Sequence, residues 1–286
     1  MALDSGGKAV FRRDIATPAG DYDATIRAIR DLVEASEQAL SRKGTVGIAT
    51  PGAISPATGL IKNANSTCLI GHALDHDLAA ALGRPVRIAN DADCFALSEA
   101  TDGAAAGYPT VFGVILGTGV GGGIVVNGRL MQGPNAIAGE WGHNPLPWPR
   151  PDEWPGPACY CGRSGCIETL ISGPAFERDY AATGHAWLKA TEIAARAAQD
   201  PAAAAALARY EERLARALAH VVNIIDPHVI VLGGGLSAID RLYSAVPALW
   251  RSFIFSDRVD TRLVKAAHGP ASGVRGAAWL WPADDR

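Results

Sequence analysis

Three of the chain's five cysteines, Cys159, Cys161 and Cys166, fall within eight residues of one another, and His143 lies sixteen residues ahead of the first. One imidazole and three thiols are the full donor set of a structural zinc tetrahedron. The segment that carries them, 133–168, is rich in proline and glycine and shows little periodicity, so it has no means of building a core by itself. A metal is the natural way to hold such a loop. An odd cysteine count with a tight cluster also argues for a metal over a disulfide framework. Lone buried cysteines are the ordinary alternative, and the glycine-interrupted spacing speaks against them. With four protein ligands the ion has no open position, so it orients a loop and performs no chemistry.

The loop belongs to a chain of 286 residues, 48% hydrophobic and 19% charged, which is enough for two domains and far from the profile of disorder. A net charge of -3 provides no basic field for a phosphate backbone, so nucleic acid is not an expected partner. The sequence has neither a membrane-length apolar run nor a signal-peptide layout at its start, and a cytoplasmic protein without a membrane partner is expected.

Periodicity gives an α/β pattern. Residues 10–17 follow a Ser5-Gly6-Gly7 turn and read as the second arm of a hairpin whose first arm has only Ala2, Leu3 and Asp4. A helix over 21–40, a strand over 45–48, a helix over 74–82 and a strand over 86–89 follow, and Asn90-Asp91 then opens another helix. Residues 110–126 read as two apolar strands around the glycine run GTGVGGG. Helices are expected near 174–182, over 191–199 and from Asp200-Pro201 to 225, then a strand over 229–232, a triple glycine, a further helix, a strand near 263–266 and a last helix over 273–280. The implied division is an N-terminal unit, 1–106, and a C-terminal unit, 107–286, that contains the 133–168 loop.

Each unit of chemistry has a plain structural reading beside it. Glycines at a strand end, here Gly117, Gly119, Gly121 and Gly122 with the Thr118 hydroxyl, and again Gly233, Gly234 and Gly235, let a phosphate approach backbone N–H groups, or simply make tight turns. Asp91 stands where a carboxylate can take a proton from a hydroxyl, or where a helix needs a cap. Asp93 is a second acid expected to point elsewhere. Glu140 and Glu168 flank the cysteine cluster and, with the remaining nitrogen of His143, can converge on a polyhydroxylated ligand, or stay solvated without a partner.

Taken together, the strings KNANST (62–67), IANDA (88–92), LGTGVGGG (116–123), GEWGHNPLPW (139–148), CYCGRSGCIET (159–169), DPHVIVLGGGLS (226–237) and SGVRGAAWL (272–280) resemble the ROK sugar kinases, most closely their bacterial fructokinase branch. The resemblance implies an actin-like (RNase H-like) fold of two α/β domains closing on a cleft, with a zinc-pinned loop, and ATP-dependent phosphorylation of a hexose, fructose first among them. An N-acetylglucosamine or other hexose kinase is the alternative. It further implies Asp91 as catalytic base; Asn65, Asn90, Glu140, His143 and Glu168 on the sugar; Gly117 to Gly122 on the ATP phosphates and Gly233 to Gly235 on the adenosine side. His143, Cys159, Cys161 and Cys166 would bind zinc, magnesium would accompany ATP, and the chain would form a homodimer. The family also opens with a strand and a DxGGT-type phosphate loop, and MALDSGGKAVFRR reads as the part that follows it. The expectation is a start codon upstream, about fifteen residues earlier by strand and turn lengths. Without that loop, a sugar-binding protein with impaired catalysis is the competing reading. A family regulator, which needs a helix-turn-helix ahead of Val10, is not expected.

Overall fold

The structure is a computed structural model that describes residues 1–281; the end of the expected 107–286 unit, residues 282–286, lies outside the described residues. The elements follow the hydrophobic pattern closely. In the N-terminal part come β1 (Ala2–Leu3), β2 (Ala9–Phe11), α1 (Tyr22–Leu40), β3 (Val46–Thr50), β4 (Ala53–Ile54), β5 (Ile61–Lys62), α2 (Leu74–Leu82), β6 (Val86–Asn90) and α3 (Asp91–Thr101). They continue with β7 (Thr110–Leu116), β8 (Val120–Val126), β9 (Arg129–Leu130), α4 (Glu168–Ile171), α5 (Gly173–Ala181), α6 (Ala190–Arg196), α7 (Pro201–Ile225), β10 (Val229–Gly233), α8 (Leu242–Trp250), β11 (Arg262–Lys265) and α9 (Ser272–Ala278).

Capping fixes the helix starts. The Asp21 carboxylate accepts from Ala24 N at 2.8 Å to open α1. Asp200 accepts from Ala202 N and Ala203 N ahead of Pro201 to open α7. The β4–β5 hairpin, β9 and α4 were not foreseen, because elements of two to four residues are too short to show a period.

The central sheet runs β11-β10-β7-β8-β9, with β10 parallel to both β11 and β7, and β8 antiparallel to β7. Alternation along the strands separates two apolar layers. Phe112, Val114, Leu116, Ile230 and Leu232 face α5 to α8, with Leu214 and Leu218 of α7 packed over them. Val111, Val125, Val229 and Val231 face Phe95 and Leu97 of α3 on the other side. A third cluster joins Leu74 and Leu78 of α2 with Ile48, Ile88 and Ile26.

In the N-terminal part β3 pairs in parallel with β6, while the β1–β2 and β4–β5 hairpins are separate two-stranded pieces. The last helix returns to this part: a Cβ on Gly47 of β3 would strike the Ala277 backbone, and one on Gly276 the Cys94 carbonyl. Thus α9 lies between β3 and α3.

Parallel pairing decides where a ligand can sit. Gly233 is in register with Ile115, so β10 and β7 end on the same side, and the turn after each opens there. In open α/β sheets the carboxyl ends of the strands form the ligand crevice. Among the described residues no helix is long and apolar enough to cross a membrane.

Candidate active site

Helix α3 opens where β6 ends, with Asn90 as its cap: the Asn90 Oδ1 accepts from Ala92 N at 2.9 Å. The capping role expected of Asp91 is therefore filled by its neighbour. Asp91, at the first helical position, is exposed, with one oxygen 2.8 Å from Ala92 N. The walls around it strip hydration and push its carboxyl above the usual carboxylate range, against the pull of the helix-start N–H groups.

Asp93, expected to point elsewhere, is instead in the same field. Burial, then the charges of Glu140 and Asp91, raise its carboxyl to about 7. Its Oδ1 is buried without a hydrogen-bond partner among the described residues.

The glycine run divides in two. Gly117, Thr118 and Gly119 form the turn between β7 and β8, closed by Gly117 N donating to Gly119 O at 3.0 Å, with Thr118 exposed. Gly121 and Gly122, expected with them on the phosphates, lie inside β8 beyond the turn. A Cβ on Gly121 would meet Ala92 at 3.1 Å and one on Gly122 would meet Trp141 at 2.8 Å, so close packing by α3 and the loop is what requires glycine here. Gly233 is likewise taken up by contact with the Phe95 ring, and Gly234 at φ +79 turns the chain. Of that trio only Gly235 faces open space; a cavity of about 390 Å³ lies beside it, lined by Ala194, Ala198, Leu207, Ala238, Ile239 and Arg241.

The end of the loop before α4 brings Glu168 to the turn between β7 and β8. One Glu168 oxygen accepts from Val120 N at 2.9 Å and would lie 2.6 Å from a Cβ on Gly119. Glu140 is exposed just ahead of the short helical turn Trp141–His143, and Trp141 Nε1 donates to Gly121 O at 3.0 Å. Asn65 is exposed between β5 and the helical turn Thr67–Leu69. Across the cleft, Lys62 Nζ donates to Asn135 O at 2.6 Å.

The ligand atoms of His143, Cys159, Cys161 and Cys166 all lie within 4.8 Å of one another. Cys159 Sγ is 3.5 Å from His143 Nδ1 and Cys161 Sγ is 3.6 Å from Cys166 Sγ. A tetrahedron with metal–sulfur bonds of ~2.3 Å has edges of ~3.8 Å, so the donors fit zinc. Arg163's backbone N–H, the largest influence, lowers the Cys161 thiol to about 7, whereas burial pushes Cys166 up to about 12. His143 Nε2, expected to be available to a sugar, shares a hydrogen bond of 2.9 Å with the Tyr160 hydroxyl. Tyr160 was not anticipated. Desolvation and then the charges of Glu168, Cys159 and Glu140 hold its hydroxyl at about 12, which places it between the two acids and the cysteines.

Sequence reading also missed what anchors the loop from below. Arg216, 1% exposed, donates to Trp148 O at 2.6 Å and to Glu153, and Arg213 bridges Glu153 and Asp179. Only a helix register read against a known loop position would have shown it.

The family model described as ROK matches residues 1–284. An N-acetyl-D-glucosamine kinase from Yersinia enterocolitica is 40% identical over 283 residues, 97% of this chain and 93% of that protein, and one from Pectobacterium atrosepticum is 41% identical with the same coverage. Among solved structures, a ROK hexokinase from Thermus thermophilus superposes with a TM-score of 0.80 at 31% identity, over 92% of this chain and 87% of that one. A ROK family glucokinase from Streptomyces griseus, solved with glucose and AMPPNP, gives 0.79 at 26%, over 97% and 93%. Sequence and backbone thus agree along almost the whole length: the chain belongs to the ROK family and has its actin-like, two-domain α/β fold.

Proposed function

We propose that the chain is an ATP-dependent hexose kinase acting on N-acetylglucosamine. The observation that carries this is the placement of Glu168 on the turn 117–119 at the carboxyl ends of β7 and β10, with Asp91 and Glu140 both close enough to act on Asp93 at the start of α3. The strings first pointed to fructokinase. Relatives at 40% identity over 97% of the chain bear the name N-acetyl-D-glucosamine kinase, and the alternative takes precedence. The strings concern contacts that many hexoses can share, and one differing contact decides which hydroxyl pattern is accepted.

In this reading the cleft lies between units 1–106 and 107–286, with Lys62 reaching across it. Asn65, Asn90, Glu140 and Glu168 hold the sugar hydroxyls. Asp91 accepts the proton of the attacking hydroxyl, its raised affinity for protons suiting it to the task. The N–H groups of Thr118 and Gly119 face the phosphates, and Gly235 with the neighbouring cavity receives the adenosine side. Magnesium bound with ATP supplies neutralisation of phosphate charge. His143, Cys159, Cys161 and Cys166 hold a structural zinc that fixes the loop and so aims Glu140 and Glu168. The place of work is the cytoplasm, where ATP is, and the active form is a homodimer.

The test is ADP release with N-acetylglucosamine, glucose, mannose and fructose. N-acetylglucosamine is expected to give the highest kcat/KM. Preference for fructose restores the first reading, and sugar binding with no turnover on any of the four supports the sugar-binding protein.

A further inference from the structure

Cys159 and Tyr160 are consecutive in the chain and take opposite nitrogens of one imidazole. Cys159 Sγ lies 3.5 Å from His143 Nδ1, and the Tyr160 hydroxyl lies 2.9 Å from His143 Nε2. The backbone makes this grip possible. Cys159 N donates to Arg163 O at 2.7 Å and Gly162 N donates to Cys159 O at 3.0 Å, closing a turn with Tyr160 and Cys161 at its tip. Ala158 pairs with Ser164 at the base of the turn, and Pro145 pairs with Cys166, which fixes the segment that carries His143 beside it.

Packing does not account for the place of Tyr160. The residue is 76% exposed, so no core holds its ring. What holds it is His143, through the hydrogen bond and an edge-to-face contact with ring centroids 5.0 Å apart and planes at 90°. His143 itself is half-buried, with its ligand nitrogen among the three sulfurs. An imidazole that gives one nitrogen to a metal carries its hydrogen on the other, and a fixed partner for that N–H sets the plane of the ring and makes the ligating nitrogen a better donor. A phenol oxygen fills this place, because it accepts one hydrogen while keeping its own.

We propose that Tyr160 is a positioning residue of the metal site: its hydroxyl accepts the Nε2–H of His143 and holds the imidazole with Nδ1 aimed at the three cysteine sulfurs. Nε2 is then committed to the protein, in place of the sugar hydroxyl first expected on it. Water can satisfy the same N–H, but only a side chain rooted between two of the ligands also fixes its direction. The inference rests on His143, Cys159, Cys161 and Cys166 holding zinc, as proposed above.

Competition for zinc against a chromophoric chelator tests it on the full chain as wild type, Tyr160→Phe and Tyr160→Ala. Tyr160→Phe keeps the ring and removes only the hydroxyl, and it is expected to bind zinc about 10- to 100-fold more weakly, with Tyr160→Ala no tighter. A purely structural role in the turn would be kept by phenylalanine. In zinc-loaded protein labelled with 15N-histidine, the His143 Nε2–H should exchange with water more slowly in the wild type than in Tyr160→Phe. Equal zinc affinity in wild type and Tyr160→Phe overturns the role of Tyr160 while the metal site stands. A loss of affinity with unchanged exchange overturns it as well, since the hydroxyl would then act elsewhere than on Nε2. A wild type that binds no zinc overturns the metal site and the inference together.

Discussion

Asp91 and Asp93 show how far a single side chain can be read from its neighbours. The Asn90-Asp91 pair ahead of a helical pattern placed Asp91 at the strand end correctly, and Asn90 takes the cap and leaves Asp91 free for chemistry. Removing a general base costs about 10²- to 10⁴-fold in rate. Asp91→Asn should therefore lower kcat by that factor in steady-state assays while leaving sugar Kd within a few-fold in calorimetry. Residues two apart on a helix lie ~200° around its axis, so Asp93 was expected to point away from Asp91. What its neighbours in sequence did not show is its burial and the added charge of Glu140, distant in sequence, which with that of Asp91 raises its carboxyl to about 7. The raised carboxyl also bears on stability. The folded protein holds a proton that the unfolded chain releases near pH 4, so stability declines as pH climbs from there toward about 7. Asp93→Asn should raise Tm at pH 8 and have little effect near pH 4, as scanning calorimetry can show.

At the scale of elements, the 133–168 loop was legible as a metal site because cysteine spacing is local. Its second anchor was not. Arg209, Arg213 and Arg216 follow helical spacing on an alanine-rich α7, a pattern that usually marks a solvated face, and they are covered only because the loop and α5 fold onto them. Breaking one partner of a buried ion pair costs about 3–5 kcal/mol. Arg216→Ala, which leaves Glu153 with Arg213 as its remaining arginine partner and frees the Trp148 carbonyl, should lower stability by the lower end of that range in urea denaturation. Cys161→Ser should abolish zinc in atomic absorption and weaken sugar binding through Glu140 and Glu168, with far-ultraviolet circular dichroism close to wild type because α7 and the sheet stay packed. A variant that binds sugar normally without metal would remove zinc from the orienting role.

The whole molecule carries an apolar face that its own core does not use. Phe255 is fully exposed, Ile224 is 68% exposed, and Trp148 stacks on Phe253 nearby. Asn223 ties 253 and 255 to α7. A groove of about 250 Å³ lined by Ile137, His220 and Ile224 continues it. An exposed apolar patch of this kind suits a two-fold dimer. Sedimentation velocity should give a dimer for the wild type and a monomer for Ile224→Asp combined with Phe255→Asp; a monomeric wild type would sink the assignment.

What the sequence by itself determined is everything carried by local order: the helices and longer strands through their hydrophobic periods, the caps at Asp21 and Asp200, the clustering of four possible metal donors through their spacing, and the place of Asp91 at a strand-to-helix junction. Tertiary structure decided which glycines let helices approach, that Asp93 is buried beside other acids, what Arg216 holds, and which turns share one end of the sheet. The division has a physical cause. Period, capping and ligand spacing are set by neighbours a few residues away, whereas burial, charge–charge fields and strand register depend on segments dozens of residues apart, and only the folded chain brings those together.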